Sequence, residues 1–145
     1  MFIERATEVT DELLAAVQSL IPQLGPGKPT PTRDQLSALV NSEASILLIA
    51  RYPEKSNPIS GMLTLAIYHV PTGVRSIVED VIVDENFRRK GIAEALLKEA
   101  IDRAREAGAG NVSLSANAAR EAAHQLYQKL GFTRRNSLFY IHHFK

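Results

Sequence analysis

The chain has 145 residues, about the length of one domain, and a globular composition of 45% hydrophobic and 23% charged residues, which excludes a disordered or fibrous protein. It has no cysteine, no apolar run of about 18 residues and no basic-then-apolar leader, so disulfides, a thiol nucleophile and a membrane span are excluded and a cytoplasmic protein is expected. The net charge of +1 hides a split: residues 1–87 hold 6 Lys/Arg against 11 Asp/Glu, net −5, and residues 88–145 hold 11 against 5, net +6. Such a basic half attracts phosphates and such an acidic half attracts a cation, whereas no run of five basic residues points to nucleic acid.

Residues 2–6 read as a short first strand. Val9, Leu13, Leu14, Val17, Leu20 and Ile21 recur at helical spacing and predict a helix that stops by Pro22. Residues 22–31 hold four of the seven prolines and two of the eight glycines, hence a turn or lid. Thr32-Arg33-Asp34-Gln35 is a capping box opening a second helix through Leu36, Leu39 and Val40. Residues 46–52, 61–70 and 76–84 read as three strands separated by proline and glycine turns, the last of them the most β-branched. Ile92, Leu96, Leu97, Ala100, Ile101 and Ala104 predict a third helix with Gly108 as its stop. A short strand at 112–115, a fourth helix from Ala119 to Leu130 ended by Gly131, and a closing strand at 138–144 complete the chain. The order β-α-α-β-β-β-α-β-α-β predicts an α/β (α+β) fold, a mixed sheet with helices on its faces, as one domain over 1–145.

The chemistry concentrates where the third of those strands turns into the third helix. Asp84-Glu85-Asn86-Phe87 leads into Arg88-Arg89-Lys90-Gly91-Ile92-Ala93. Small residues at 91 and 93 let a ligand approach the backbone, and a helix start presents unpaired N–H groups at the positive end of its dipole. Three cations there oppose that dipole unless an anion is bound, so the turn reads as a pyrophosphate cradle rather than a solvated basic turn. Other phosphate loops fail. Around Gly27-Lys28 a Walker loop would need glycine and a hydroxyl where Pro22 and Pro29 stand, and Gly25-Pro26-Gly27 follows no strand, with Thr30 in place of a third glycine.

This segment resembles the GCN5-related N-acetyltransferases, whose signature Arg/Gln-x-x-Gly-x-Gly/Ala opens a helix after a long central strand. Here it reads Arg88-x-x-Gly91-x-Ala93. IVEDVIVDENF at 77–87 and LYQKLGF at 126–132 match further hallmarks in order and spacing, so the resemblance runs from about residue 58 onward. It implies a mostly antiparallel mixed central sheet with helices on both faces. It implies acetyl-CoA as co-substrate, with its pyrophosphate on the main-chain N–H groups of Arg88, Arg89, Lys90, Gly91, Ile92 and Ala93. The pantetheine arm would lie against Val81, Ile82 and Val83 like an added strand, and the N–H of Val81 or Val83 would polarise the thioester carbonyl.

Tyr127 resembles the tyrosine that many members use as general acid toward the departing thiolate. A thiol near pKa 8.5 is less basic than a phenolate near 10, so full transfer is uphill by about 2 kcal/mol, yet a placed phenol still stabilises the thiolate by a charge-assisted hydrogen bond. The plainer reading is an aromatic on the helix's apolar stripe. Glu79, two residues before Val81 in an apolar strand, is the candidate base for an ammonium acceptor, with Asp80 on the opposite face of a regular strand as the alternative. Many members carry asparagine seven residues before the tyrosine; here stands Arg120, which shares a helical stripe with His124 and Tyr127 and can reach a CoA phosphate. Asn117 is the better N-cap by type. The four histidines lack a metal-ligand arrangement with neighbouring carboxylates, so no metal is expected.

The expected activity is acetyl transfer from acetyl-CoA to a primary amine by direct attack in a ternary complex, since without cysteine no cysteinyl acyl-enzyme forms. The alternatives are a catalytically silent acyl-CoA-binding sensor or scaffold, and transfer to a protein N-terminus or lysine. The expected partner is a small-molecule or peptide amine, with a homodimer left open. Residues 20–36, 64–70 and 134–140 are expected to line the acceptor slot. The acidic half bordering it favours a cationic amine or basic peptide end over an anionic sugar phosphate.

Overall fold

Five consecutive buried apolar residues, Ile46 to Ala50, mark a strand covered on both faces, and the fold is organised around it. The structure, a computed structural model, describes residues 1–115 and 121–144. The chain divides into two compact units, residues 1–115 and 116–145. The first holds β1 (Phe2–Arg5), α1 (Asp11–Leu20), α2 (Arg33–Val40), β2 (Ser45–Arg51), β3 (Ile59–Val70), β4 (Gly73–Val83), α3 (Ile92–Glu106) and β5 (Ser113–Leu114). The sheet order is β1-β2-β3-β4-β5, antiparallel through β4, with β5 parallel to β4. The mixed sheet of an α/β fold is therefore present.

The period-two alternation of β2 sorts its side chains between two layers. Leu47 and Ile49 join Leu13, Val17 and Leu20 of α1 and Leu36 and Val40 of α2 in one core. Leu48 and Ala50 turn to the other face, where they pair with Leu63 and Gly61. That face is covered by α3, which packs on β2, β3 and β4. Gly61 permits the approach: a Cβ there would stand 3.0 Å from Ile92 Cγ2 and 3.1 Å from the Ile82 carbonyl oxygen.

Local signals set the helix ends. Thr32 and Gln35 form the reciprocal capping box, with the Gln35 N–H donating to Thr32 Oγ1 at 3.2 Å and the Thr32 N–H donating to Gln35 Oε1 at 3.0 Å. Pro22 ends α1 as expected, but the chain continues as a short 3-10 turn, Ile21–Leu24, because proline near a helical start forfeits no intrahelical donor.

Arg51 ties β2 to α1 through a fork on Glu12, at 2.9 Å and 2.7 Å, and also donates to the Asn57 carbonyl at 2.8 Å. The hydrogen bond from Arg51 holds the Glu12 carboxyl below its ordinary range, against a smaller opposing effect of burial. A carboxyl depressed in the folded state stabilises fully above its unfolded pKa, about 4.3, and loses that contribution as pH falls through the folded value. The wild-type urea midpoint should therefore exceed that of Glu12→Gln at pH 7, and the gap should close in strong acid. The gap should be small, because Glu12 is half exposed.

In the second unit α4 (Glu121–Lys129) ends in a Schellman motif: the Gly131 N–H donates to Gln128 O at 3.1 Å and the Phe132 N–H to Tyr127 O at 2.9 Å. Gly131 supplies the left-handed φ of +92° that the motif requires. The closing strand expected at 138–144 is not formed; residues 132–144 carry neither helix nor strand. Leu138, Phe139, Tyr140, Ile141 and Phe144 are 75–93% exposed. An apolar, aromatic run becomes a strand only where a neighbouring ladder pairs its backbone, and residue type alone does not provide one.

Candidate active site

The basic turn expected to hold an anion has the backbone for it. Arg89 and Gly91 both adopt left-handed φ, +64° and +80°, on either side of Lys90, a concave arrangement of N–H groups. Gly91 is the N-cap of α3, and no side chain caps that end. The first intrahelical bond runs from the Ala95 N–H to the Gly91 carbonyl at 3.1 Å, so the N–H groups of Ile92, Ala93 and Glu94 precede the ladder. Arg88, Arg89 and Lys90 are exposed, and no ion pair involves them among the described residues. A Cβ at Gly91 would meet no atom within 4 Å, so open space lies over the turn. Ile92 is different: its side chain is 2% exposed and belongs to the core, leaving only its backbone for a ligand. A helix start without a side-chain cap, three exposed cations with no ion pair among the described residues, and open space fit a pyrophosphate.

Beside this turn, β4 presents an edge. Among the described residues its pairing with β5 covers Ile77 and Val78. Beyond them, among the described residues, residues 79–83 pair only with β3. The Asp84 N–H donates to the Ser60 carbonyl at 2.8 Å, toward β3, so alternation turns the Val83 N–H to the opposite, open edge. A pantetheine amide fits such an edge. Gln23 Oε1 accepts from the Glu85 N–H at 3.0 Å, tying the proline-rich loop to the cradle.

The same strand carries a β-bulge. Met62 pairs with Ile82 but Thr64 pairs with Glu79, so Leu63 faces two residues, Asp80 and Val81. Asp80 takes the bulge conformation with φ +51°, which costs a non-glycine residue about 1–2 kcal/mol and which aspartate tolerates better than most. The extra residue shifts the alternation. Asp80 and Glu79 were expected on opposite faces; instead Asp80 lines a cavity under α1 and α2, and Glu79 sits at the register position of Thr64, which lines that cavity too.

The cavity has a volume of about 270 Å³. Leu47, Met62, Thr64 and Asp80 form its sheet side. Val17, Ile21, Leu36 and Leu39 come from the two helices and the 3-10 turn, and Pro29, Thr30, Pro31 and Gln35 from the loop and the α2 start. Asp80 is the one ionisable group among these lining residues. Two carboxylates of the acidic half are already committed, Glu12 to Arg51 and Asp11 to Arg33, so the half-chain charge overstates the field at the cavity.

In the second unit Tyr127 is half-buried on α4, edge-on to His124 with ring centres 6.4 Å apart and to Phe132 at 6.0 Å. The Phe132 contact is the hydrophobic partner of the Schellman motif, so LYQKLGF pins the tyrosine ring as well as ending the helix. Arg120, Asn117 and Ala119 lie outside the described residues. The bulge and the cavity are what sequence reasoning missed. Two adjacent acids in an otherwise β-branched strand were the available signal, because a bulge resolves the conflict that strict alternation creates there.

Known proteins share the sequence pattern and the fold. The sequence profile described as the Acetyltransferase (GNAT) family matches residues 13–132. The chain is 36% identical over 107 residues to an uncharacterized N-acetyltransferase, YhdJ, of Bacillus subtilis (strain 168), covering 72% of this chain and 73% of that one. A transcriptional regulator from Bacillus halodurans C-125 shares the fold at TM-score 0.79 and 23% identity, over 98% of this chain and 99% of that one. An aminoglycoside acetyltransferase, meta-AAC0020, from an uncultured soil metagenomic sample, solved with sisomicin, shares it at TM-score 0.79 and 19% identity, over 99% and 95%. An Arg88-x-x-Gly91-x-Ala93 turn at an uncapped helix start, beside a strand with an open edge, is set in a chain matched by that profile over most of its length: this chain belongs to the GNAT family of acetyltransferases.

Proposed function

We propose that this protein, acting as one domain over residues 1–145, transfers the acetyl group of acetyl-CoA to a primary amine by direct attack in a ternary complex in the cytoplasm. The observation that carries the reading is Asp80, a carboxylate held in a strained bulge at the wall of a cavity, within the stretch of β4 that pairs only with β3 among the described residues. Left-handed φ at a non-glycine residue clusters at functional sites, which supports this reading of Asp80.

In this reading the N–H groups of residues 88–93 and the side chains of Arg88, Arg89 and Lys90 hold the pyrophosphate of the donor. Val81, Ile82 and Val83 align its arm, and the Val83 N–H polarises the thioester carbonyl. Arg120 adds a charge for a CoA phosphate. Asp80 and Glu79 draw in the ammonium and accept a proton from it, directly or through water. The amine nitrogen then forms a C–N bond with the acetyl carbon while the C–S bond breaks. Of the two protons lost by the ammonium, one ends on the CoA thiol, with the Tyr127 hydroxyl stabilising the leaving thiolate, and the other passes to solvent. No metal enters the scheme.

Thiol release from acetyl-CoA, followed with a panel of primary amines, tests the reading. Amine-dependent release with the matching acetamide is expected. Acetyl-CoA binding by calorimetry without release for any amine would overturn it in favour of a silent acyl-CoA-binding module.

A further inference from the structure

The cavity wall says what kind of amine fits, given the transfer reading above. The cavity, about 270 Å³, has room for a small molecule beside Asp80. Apolar side chains dominate the wall: two leucines of α2, Leu47 and Met62 of the sheet, and Val17 and Ile21. Its polar groups are few, and some are engaged. Gln35 Oε1 accepts from the Thr32 N–H in the capping box, and the Pro31 carbonyl accepts from Gln18 Nε2 at 3.2 Å. Asp80, on β4, is the one ionisable lining residue, with Glu79 next to it in the chain and paired with Thr64 of the same wall.

We infer that the acceptor is a compact monoamine with an apolar body, an alkyl or arylalkyl amine whose ammonium meets Asp80 and whose hydrocarbon fills the space under α1 and α2. Burial of each methylene against this wall strengthens binding, whereas a second ammonium or a set of hydroxyls would face leucine, proline and methionine without partners. The cavity thus selects for an ammonium at the acid end and a hydrocarbon tail along the rest of the wall. A polycationic aminoglycoside does not match the polarity of this wall.

A homologous series decides the matter on the intact protein. Propylamine, butylamine, pentylamine and hexylamine, with 2-phenylethylamine, are compared with 1,6-diaminohexane, spermidine and sisomicin at saturating acetyl-CoA. kcat/KM should rise about fourfold per methylene until the cavity is full, and 1,6-diaminohexane should fall at least tenfold below hexylamine. Leu39→Glu, which adds a carboxylate to the half-buried wall, should move the preference toward the diamine, and its unchanged thermal midpoint would show that the fold is intact. A flat series, or kcat/KM highest for spermidine or sisomicin, would overturn the substrate class while leaving acetyl transfer standing. No release with any amine, acetyl-CoA still being bound, would instead sink the transfer reading and this inference with it.

Discussion

Gly91→Glu should abolish measurable acetyl-CoA binding, while Gly91→Ala should retain most of it. Both substitutions place a Cβ at φ +80°, and both therefore carry the same left-handed penalty of about 1–2 kcal/mol. Neither meets protein atoms, since the position of a Cβ there is clear to 4 Å. The glutamate alone adds bulk and a negative charge over the uncapped start of α3, where the dipole and three cations favour an anion. The loss should reach several kcal/mol, a factor of at least about 10² in Kd. Calorimetric titration at fixed salt reads it, with thermal unfolding of the two variants as the control. Equal affinities for the alanine and glutamate variants would remove the cradle.

Tyr127→Phe should lower kcat by roughly one to three powers of ten with acetyl-CoA affinity near normal. The substitution keeps the ring that packs edge-on against His124 and Phe132, so the Schellman motif and the end of α4 should persist. Only the hydroxyl is lost. A drop in kcat without a change in thermal midpoint assigns the hydroxyl to the chemistry. Unchanged turnover would leave Tyr127 as packing for the helix end. Alternative thioesters with more acidic leaving thiols sharpen the comparison, because they need less help from a phenol and should shrink the difference.

Much of the fold follows from local pattern. The apolar spacing of Leu13, Val17 and Leu20 and of Leu96, Leu97, Ala100 and Ala104 places α1 and α3, and all seven residues are buried. Thr32 and Gln35 are close in the chain, so their reciprocal cap is readable without tertiary information. Sequence and structure disagree at residues 138–144, where the apolar run predicts a strand that is not formed. Pairing depends on what lies alongside, and side-chain type is silent on that.

Asp80 shows the same limit at the site. Two neighbouring carboxylates in a β-branched strand were visible from the start, but strict alternation assigns them to opposite faces. One inserted residue opposite Leu63 reverses that assignment and sets Asp80 in the cavity wall. The charge split behaves alike. Eleven acids in residues 1–87 promised a field for a cation, yet Glu12 and Asp11 are neutralised by Arg51 and Arg33, which are 39 and 22 residues away in the chain.

The sequence by itself determined the helices, their caps, the class of fold and the Arg88–Ala93 turn, because each depends on residues within a few positions of one another. The tertiary structure alone decided which carboxylate meets the cavity, how large and apolar that cavity is, and which part of β4 stays open. Those properties depend on strand register and on helices crossing a sheet, where a shift of one residue changes the face and no local pattern records the neighbour.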